Sequence, residues 1–84
     1  MSDKLVKNGK FIEKTSIPDY FELYHKNILI LGFGRIGRAL AKRCLGFESK
    51  VLVYDPFIDT AIITEKNCYP ISFEEGIKIA DFIS

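Results

Sequence analysis

Three glycines between positions 32 and 37 form the part of the sequence whose spacing most directly indicates chemistry. Gly32, Gly34 and Gly37 make a Gly-x-Gly-x-x-Gly motif directly after the aliphatic run 28–31 and before a stretch of helical period. A strand that leads through such a turn into a helix aims the free amides and the positive end of the helix at whatever occupies the turn. The arrangement predicts a binding site for a diphosphate.

Each position of the motif has a separate physical role. Gly32 permits the tight turn, Gly34 lets the ligand approach where a Cβ would stand, and Gly37 allows the helix to pack closely on the strand. The amides of Arg35 and Ile36 are free donors of the first helical turn, and the Arg35 side chain adds positive charge beside the phosphates. These five residues are the predicted diphosphate-binding set.

An acidic residue at the expected distance completes the pattern. Asp55 ends the aliphatic run 51–54, and an acidic side chain about 20 residues after the glycines is the one that binds the adenosine ribose in dinucleotide sites. Pro56 ends the strand because it lacks a ladder donor, and we count it with the site. A carboxylate at this point accepts hydrogen bonds from the ribose hydroxyls and repels a 2′-phosphate. The sequence therefore predicts NAD as the cofactor.

Structural interpretations of the same residues stay open at this point. Asp55 can be a turn residue before Pro56, and the glycines can form a close strand-to-helix turn without a ligand. The phosphate-binding loop of nucleoside triphosphatases is excluded, because Gly37 is followed by Arg38-Ala39 where that loop needs Lys and then Ser or Thr.

Two strands and a helix must bring these residues together. The runs 28–31 and 51–54 are unbroken and aliphatic, which is typical of strands covered on both faces of a parallel sheet. Apolar residues recur every fourth position from Ile36 to Cys44, which predicts an amphipathic helix between the strands. Gly46 is predicted to end this helix in the left-handed conformation.

The pattern is weaker in the last third of the chain. Residues 57–66 fit either a helical turn or an extended segment. Ser72 begins a capping-box sequence, which predicts a helix over 73–80. Ile71 is predicted to be a very short strand before this helix, and 81–84 the beginning of a further strand.

The predicted fold class is α/β, with a Rossmann-type parallel sheet that corresponds to the first half of a dinucleotide-binding domain. Residues 26–84 form this half, in which the strand at 28–31 lies between the strand at 51–54 and the one at 81–84. Residues 1–25 show no sustained period and are predicted to be a lead-in arm or linker. Since half a sheet leaves an open edge, we expect the chain to pair with the remainder of the domain or with a second chain.

Composition limits the classes of function. Twelve Lys and Arg against eleven Asp and Glu give a net charge of +1, which leaves no basic stripe for a nucleic acid. No apolar run reaches the roughly 18 residues that cross a bilayer, and the first residues lack the apolar core of a secretory signal. We therefore expect neither a nucleic-acid nor a membrane partner, and a cytoplasmic location.

The remaining reactive side chains predict no catalytic and no metal site. Cys44 and Cys68 lie far apart without a Cys-x-x-Cys pattern, which is typical of two reduced, partly buried thiols. His25, the single histidine, is predicted to be exposed in a polar turn away from the ligand edge of the sheet. The outer face of the first helix carries three cations that are predicted to be solvated: Arg38, Lys42 and Arg43.

Two longer segments resemble the D-isomer-specific 2-hydroxyacid dehydrogenases. They are Ile-Leu-Gly-Phe-Gly-Arg-Ile-Gly-Arg-Ala-Leu-Ala-Lys-Arg (30–43) and Lys-Val-Leu-Val-Tyr-Asp-Pro-Phe (50–57). The similarity extends to residues 7–11, which look like the Gly-Lys-Trp lead-in to the family's coenzyme domain, and to 79–84, which look like its Ala-Asp-Val-Val-Ser segment. It covers nearly the whole chain.

The resemblance implies reversible hydride transfer between NAD and a 2-hydroxy acid, in a homodimer, with Arg35, Ile36 and Asp55 at coenzyme-contacting positions. The family's catalytic arginine, glutamate and histidine match nothing here, so no residue of this chain is predicted to be catalytic. The chain resembles part of one domain from a truncated or split reading frame. The alternatives are an NAD-sensing regulatory domain or corepressor, which would use the same turn without hydride chemistry, and a remnant without function.

Overall fold

Five strands in one sheet and three helices make up the part of the chain that the computed structural model describes, residues 6–7 and 23–84. The strands are β1 (Val6–Lys7), β2 (Asn27–Leu31), β3 (Lys50–Tyr54), β4 (Tyr69–Pro70) and β5 (Phe82–Ile83). The helices are α1 (Arg35–Gly46), α2 (Thr60–Glu65) and α3 (Phe73–Ile79). Strands and helices alternate from β2 onward, as in a chain of βαβ units.

The sheet has the order β1-β5-β2-β3-β4, and β5, β2, β3 and β4 run parallel. The predicted α/β fold and the central position of the strand at 28–31 are confirmed. β1 pairs antiparallel with β5 and lies inside the predicted lead-in. The remainder of that lead-in up to residue 22 falls outside the described residues.

Both faces of the two central strands are covered, as their aliphatic runs predict. Ile28, Ile30, Val51 and Val53 share one buried cluster with side chains of α1 and α2. On the opposite face, Leu29 and Leu52 form a second cluster with Ala80, and Ile77 of α3 packs against it. The connection through α3 crosses to the other face of the sheet because β5 must lie beside β2.

The end of α1 differs from the prediction. Gly46 is the last helical residue, and the left-handed position belongs to Glu48, whose φ is 56°. The Glu48 amide donates to the Leu45 carbonyl at 3.0 Å, and the Ser49 amide donates to the Cys44 carbonyl at 3.2 Å. These are the two bonds of a Schellman motif. The prediction for Gly46 is therefore wrong, because the motif closes two residues later on a non-glycine residue.

The ambiguous segment 57–66 contains α2. Asp59 caps this helix, because its carboxylate accepts the Ala61 amide at 3.0 Å. The short strand predicted at Ile71 is instead Tyr69–Pro70, although the Ile71 amide still donates to the Val53 carbonyl at 3.0 Å. The pairing thus begins two residues earlier than the apolar side chain suggested.

The last helix and strand agree with the prediction. Ser72 caps α3, and its Oγ accepts the Glu75 amide at 3.2 Å. β5 lies within the predicted strand at 81–84, and the Ser84 amide continues the pairing to the Leu29 carbonyl at 2.9 Å.

The reactive side chains outside the glycine turn have structural surroundings. Cys44 and Cys68 are free and buried, more deeply than predicted, and burial raises the pKa of the Cys44 thiol to about 11. His25 is exposed, as predicted, and its ring lies 4.4 Å from that of Tyr24. Among the described residues no helix is both long enough and apolar enough to cross a membrane.

Candidate dinucleotide-binding site

The turn after β2 has the backbone conformation that its first glycine permits. Gly32 has a φ of 95°, in the region that side-chain-bearing residues rarely adopt. Its amide donates to the Tyr54 carbonyl at 2.9 Å, which extends the pairing of β2 and β3 to the first residue of the turn. The turn therefore leaves the sheet at its carboxyl edge, where ligands of parallel α/β sheets bind.

The other two glycines of the motif meet different surroundings. A Cβ at Gly37 would lie 2.3 Å from the Gly32 carbonyl oxygen and 3.2 Å from Cγ2 of Ile30, so α1 can approach β2 this closely only with glycine there. A Cβ at Gly34 would meet nothing within 4 Å. Gly37 thus serves packing, whereas Gly34 borders open space.

The first turn of α1 opens toward that space. Gly34 is the N-cap, no side chain caps the helix, and the first turn carries no acidic residue. Arg35 and Ile36 are exposed. The first-turn amides and the positive end of the helix dipole are therefore available to an anion.

Asp55 lies across the same edge, directly after β3. Its Oδ2 accepts the Phe33 amide at 2.8 Å and its Oδ1 accepts the Phe57 amide at 2.9 Å. The amide of Phe33, and after it that of Phe57, lowers the pKa of the Asp55 carboxyl, against a smaller opposing effect of desolvation. The Ile58 amide adds a further, smaller lowering of this pKa. The two carboxylate oxygens offer about four acceptor sites in all, so these three amides leave room for a ribose hydroxyl.

Phe33 and Arg38 belong to the site although the sequence pattern did not indicate them. The Phe33 ring is completely buried, and its carbonyl accepts Nε of Arg38 at 3.1 Å. The Arg38 guanidinium lies 5.6 Å from the centre of the Phe33 ring, within the range of a cation–π contact. Arg38 is exposed, as expected, and its guanidinium also contacts the glycine turn.

A cleft of about 390 Å³ lies beside Asp55 at the ends of β3 and β4. Pro70 and Ile71 contribute apolar surface, and the residues Thr60 and Ser72 bring hydroxyl groups to its lining. Such a mixture suits a flat, mainly apolar ring with a few polar edges.

The structure thus brings the predicted residues of the glycine turn to one edge of the sheet together with Asp55. Pro56 lies in the exposed turn that follows Asp55. The contacts of Phe33, Arg38 and Phe57 were missed because each of them uses a backbone amide or carbonyl, which carries no sequence signal. Phe57 alone has a partial signal, since an Asp often accepts the amide two residues on.

Comparison with known proteins identifies relatives along the whole chain. A family model described as D-isomer specific 2-hydroxyacid dehydrogenase, NAD binding domain, matches residues 1–84. Glyoxylate reductase of Pyrococcus furiosus is 37% identical in an alignment 86 residues long, which covers 96% of this chain and 26% of that protein. D-3-phosphoglycerate dehydrogenase of Archaeoglobus fulgidus is 32% identical over 83 residues, 99% of this chain and 15% of that protein.

Solved structures agree with this relationship. A phosphoglycerate oxidoreductase from Rhizobium etli aligns with a TM-score of 0.66 and 34% identity, over 69% of this chain and 18% of its own. A D-lactate dehydrogenase with NAD⁺ from Lactobacillus jensenii aligns with a TM-score of 0.59 and 25% identity, over 86% of this chain and 20% of its own. This chain therefore spans a quarter or less of these two structures.

Proposed function

This chain belongs to the D-isomer-specific 2-hydroxyacid dehydrogenases through their NAD-binding domain, and on this premise we propose that residues 26–84 hold the adenosine and diphosphate parts of NAD. The observation that carries the proposal is the placement of Asp55. Its carboxylate is fixed by the Phe33 amide of the glycine turn and by the Phe57 amide. A ribose ligand is thereby held at the side of a diphosphate site. The segment before residue 26 is proposed to be a lead-in.

The diphosphate is proposed to lie over Gly34. That position has no neighbour within 4 Å of an added Cβ, and the uncapped first turn of α1 begins directly after it. The amides of Arg35 and Ile36 would donate to phosphate oxygens, and the exposed Arg35 side chain adds charge. Gly32 and Gly37 give the turn its shape, because Gly32 adopts the positive φ and Gly37 lets α1 pack closely on β2.

The adenosine is proposed to extend from Asp55 into the neighbouring cleft. The acceptor capacity that the backbone amides leave on the Asp55 carboxylate is proposed to bind a ribose hydroxyl. The cleft between the ends of β3 and β4 then receives the adenine ring, with the half-buried Ile71 beside it. Pro56 lies in the exposed turn beside the ribose and contributes shape rather than hydrogen bonds.

The whole protein is proposed to be an oxidoreductase that acts on the CH–OH group of 2-hydroxy acids. The family match supports this, as do relatives named for glyoxylate and for 3-phosphoglycerate, both small carboxylates. NAD supplies the hydride acceptor, and residues 26–84 bind and orient its adenosine half. We assign no catalytic role within this segment. We also propose that the whole protein is a homodimer and that it is located in the cytoplasm.

The test compares NAD and NADP binding by ligand-observed NMR in the full chain. Wild type is expected to prefer NAD by on the order of tenfold or more, because a 2′-phosphate would lie against the Asp55 carboxylate. Asp55→Asn keeps an acceptor oxygen but removes the charge, and should abolish most of that preference.

Asp59→Asn is the matched control for this experiment. Asp59, like Asp55, accepts an amide two residues on, but it caps α2 and is not proposed to touch the ligand. Its variant should keep the wild-type preference. Equal binding of NAD and NADP by wild type, or an unchanged preference in Asp55→Asn, would reduce Asp55 to a turn residue and remove the ribose assignment.

A further inference from the structure

Arg38 makes two contacts with one residue of the glycine turn. Its Nε donates to the Phe33 carbonyl at 3.1 Å, and its guanidinium lies 5.6 Å from the centre of the Phe33 ring. The ring is completely buried, so it offers a fixed surface for the planar guanidinium. Arg38 is exposed, like Lys42 on the same helix, but these two contacts hold its guanidinium against the glycine turn.

Phe33 is consequently held on both sides of its backbone. Its amide donates to Asp55 from one peptide group, and its carbonyl accepts Arg38 in the next. That second peptide group joins Phe33 to Gly34. Because a trans peptide is planar, its C=O and N–H point in opposite directions, so the bond to Arg38 directs the Gly34 N–H away from the guanidinium.

We propose that Arg38 is a positioning residue, which holds the glycine turn in its diphosphate-binding conformation through the Phe33 carbonyl. The inference rests on the proposed function of the turn. Gly34 has the most backbone freedom at the point where the diphosphate passes. Fixing the peptide in front of it before the ligand arrives removes part of the ordering cost of binding. Arg38 therefore adds affinity without being required to touch the ligand.

The chain offers a matched control on the same helix. Lys42 lies one turn beyond Arg38, is exposed, and has no contact with the glycine turn among those that the described residues make. Arg38→Met and Lys42→Met each remove one positive charge and leave the same side chain. Only the first removes the donor to Phe33.

The experiment measures three ligands, NAD, ADP and adenosine, by ligand-observed NMR on the full chain, together with the amide spectrum of the free protein. Arg38→Met should weaken NAD and ADP by about 3- to 10-fold, the range for one net hydrogen bond. Adenosine binding should stay within twofold, because adenosine lacks the diphosphate. The Gly34 amide resonance should move in Arg38→Met and stay in place in Lys42→Met.

Arg38→Lys keeps the charge and one donor but lacks the planar fork. It should recover part of the NAD affinity that Arg38→Met loses, and it carries the test if Arg38→Met does not fold.

Equal affinities in Arg38→Met and Lys42→Met would overturn the inference, as would equal losses for adenosine and ADP, which indicate general destabilisation. Failure of wild type to bind ADP at all would overturn the proposed function and this inference together. If wild type binds ADP and NAD and Arg38→Met binds them with the same affinities, only this inference is overturned.

Discussion

The amide of Phe33 donates to the Asp55 carboxylate at 2.8 Å, across 22 positions of sequence. One partner lies inside the glycine turn, and the other is the proposed ribose ligand. Beside this bond, the Gly32 amide donates to the Tyr54 carbonyl at 2.9 Å. Two consecutive amides of the turn are thus tied to two consecutive residues at the end of β3. The diphosphate and ribose sites are therefore two parts of one rigid backbone unit.

The charge of Asp55 should make stability depend on pH in the acid range. The Phe33 amide, and next the Phe57 amide, lowers the pKa of the folded carboxyl, whereas an unfolded Asp titrates near about 3.9. A lowered pKa contributes stability that is complete above the unfolded value and is lost as the pH falls through the folded value. Asp55→Asn should remove this contribution.

Urea denaturation from pH 7 to pH 2.5 checks the effect. The stability difference between wild type and Asp55→Asn should be constant above about pH 5 and shrink below about pH 4. A difference that stays constant down to pH 2.5, or that grows on acidification, would show that the two amide bonds do not favour the charged form.

Gly37→Ala should destabilise the chain by about 1–3 kcal/mol, the usual cost of an overpacked contact. The added Cβ would lie 2.3 Å from the Gly32 carbonyl oxygen, a backbone atom that cannot rotate away. Gly46→Ala is the control on the same helix, because its Cβ would meet nothing within 4 Å. Gly46→Ala should stabilise by roughly 0.5–1 kcal/mol through helix propensity. Urea midpoints measure both changes in stability. A Gly37→Ala variant as stable as wild type would contradict the close packing of α1 on β2.

The sequence was sufficient for the parts of the site that depend on local chain geometry. Gly32, Gly34 and Gly37 were predicted because a strand, a tight turn and a helix follow one another without interruption. Asp55 was predicted because β3 must run parallel to β2, which brings the ends of both strands to one edge. Neighbouring residues determine the position of the glycines, and the parallel pairing of two clearly aliphatic strands determines that of Asp55.

Contacts between a side chain and a backbone carbonyl could not be predicted in the same way. The bond of Arg38 to the Phe33 carbonyl depends on how closely α1 packs on β2, and an arginine on an exposed helix face gives no sign of it. The end of α1 was misplaced at Gly46 for a similar reason. Glycine is the usual left-handed residue, but here Ser49 is buried with its hydroxyl on the Leu23 carbonyl, and the chain turns at Glu48 instead.

At position 48, a glycine variant should therefore be more stable than an alanine variant. At a φ of 56° a Cβ is strained, and the cost is roughly 1 kcal/mol. Glu48→Gly and Glu48→Ala both lose the hydrogen bond from Tyr24, so their difference isolates the backbone effect. The glycine variant should be more stable by about 0.5–1 kcal/mol in urea denaturation. This sign is opposite to the one expected at Gly46, two positions earlier, and equal stability of the two variants would place the left-handed turn elsewhere.

Phe57→Arg should shift cofactor preference toward NADP. The Phe57 side chain is 94% exposed, so its replacement removes no core packing, and its amide already binds Asp55 beside the proposed ribose site. A guanidinium at this position can pair with a 2′-phosphate and offset the repulsion from Asp55. NADP affinity should rise by about 3- to 10-fold, the range expected for a partly exposed charge-assisted contact, while NAD affinity changes by less than about twofold.

Phe57→Gln, which is polar and uncharged, controls for loss of the ring, and both cofactors are measured by ligand-observed NMR at two salt concentrations. The gain should be smaller at high salt because the new contact is exposed. An equal gain in Phe57→Gln, or an equal gain for NAD, would mean that the ribose 2′ position does not face this turn.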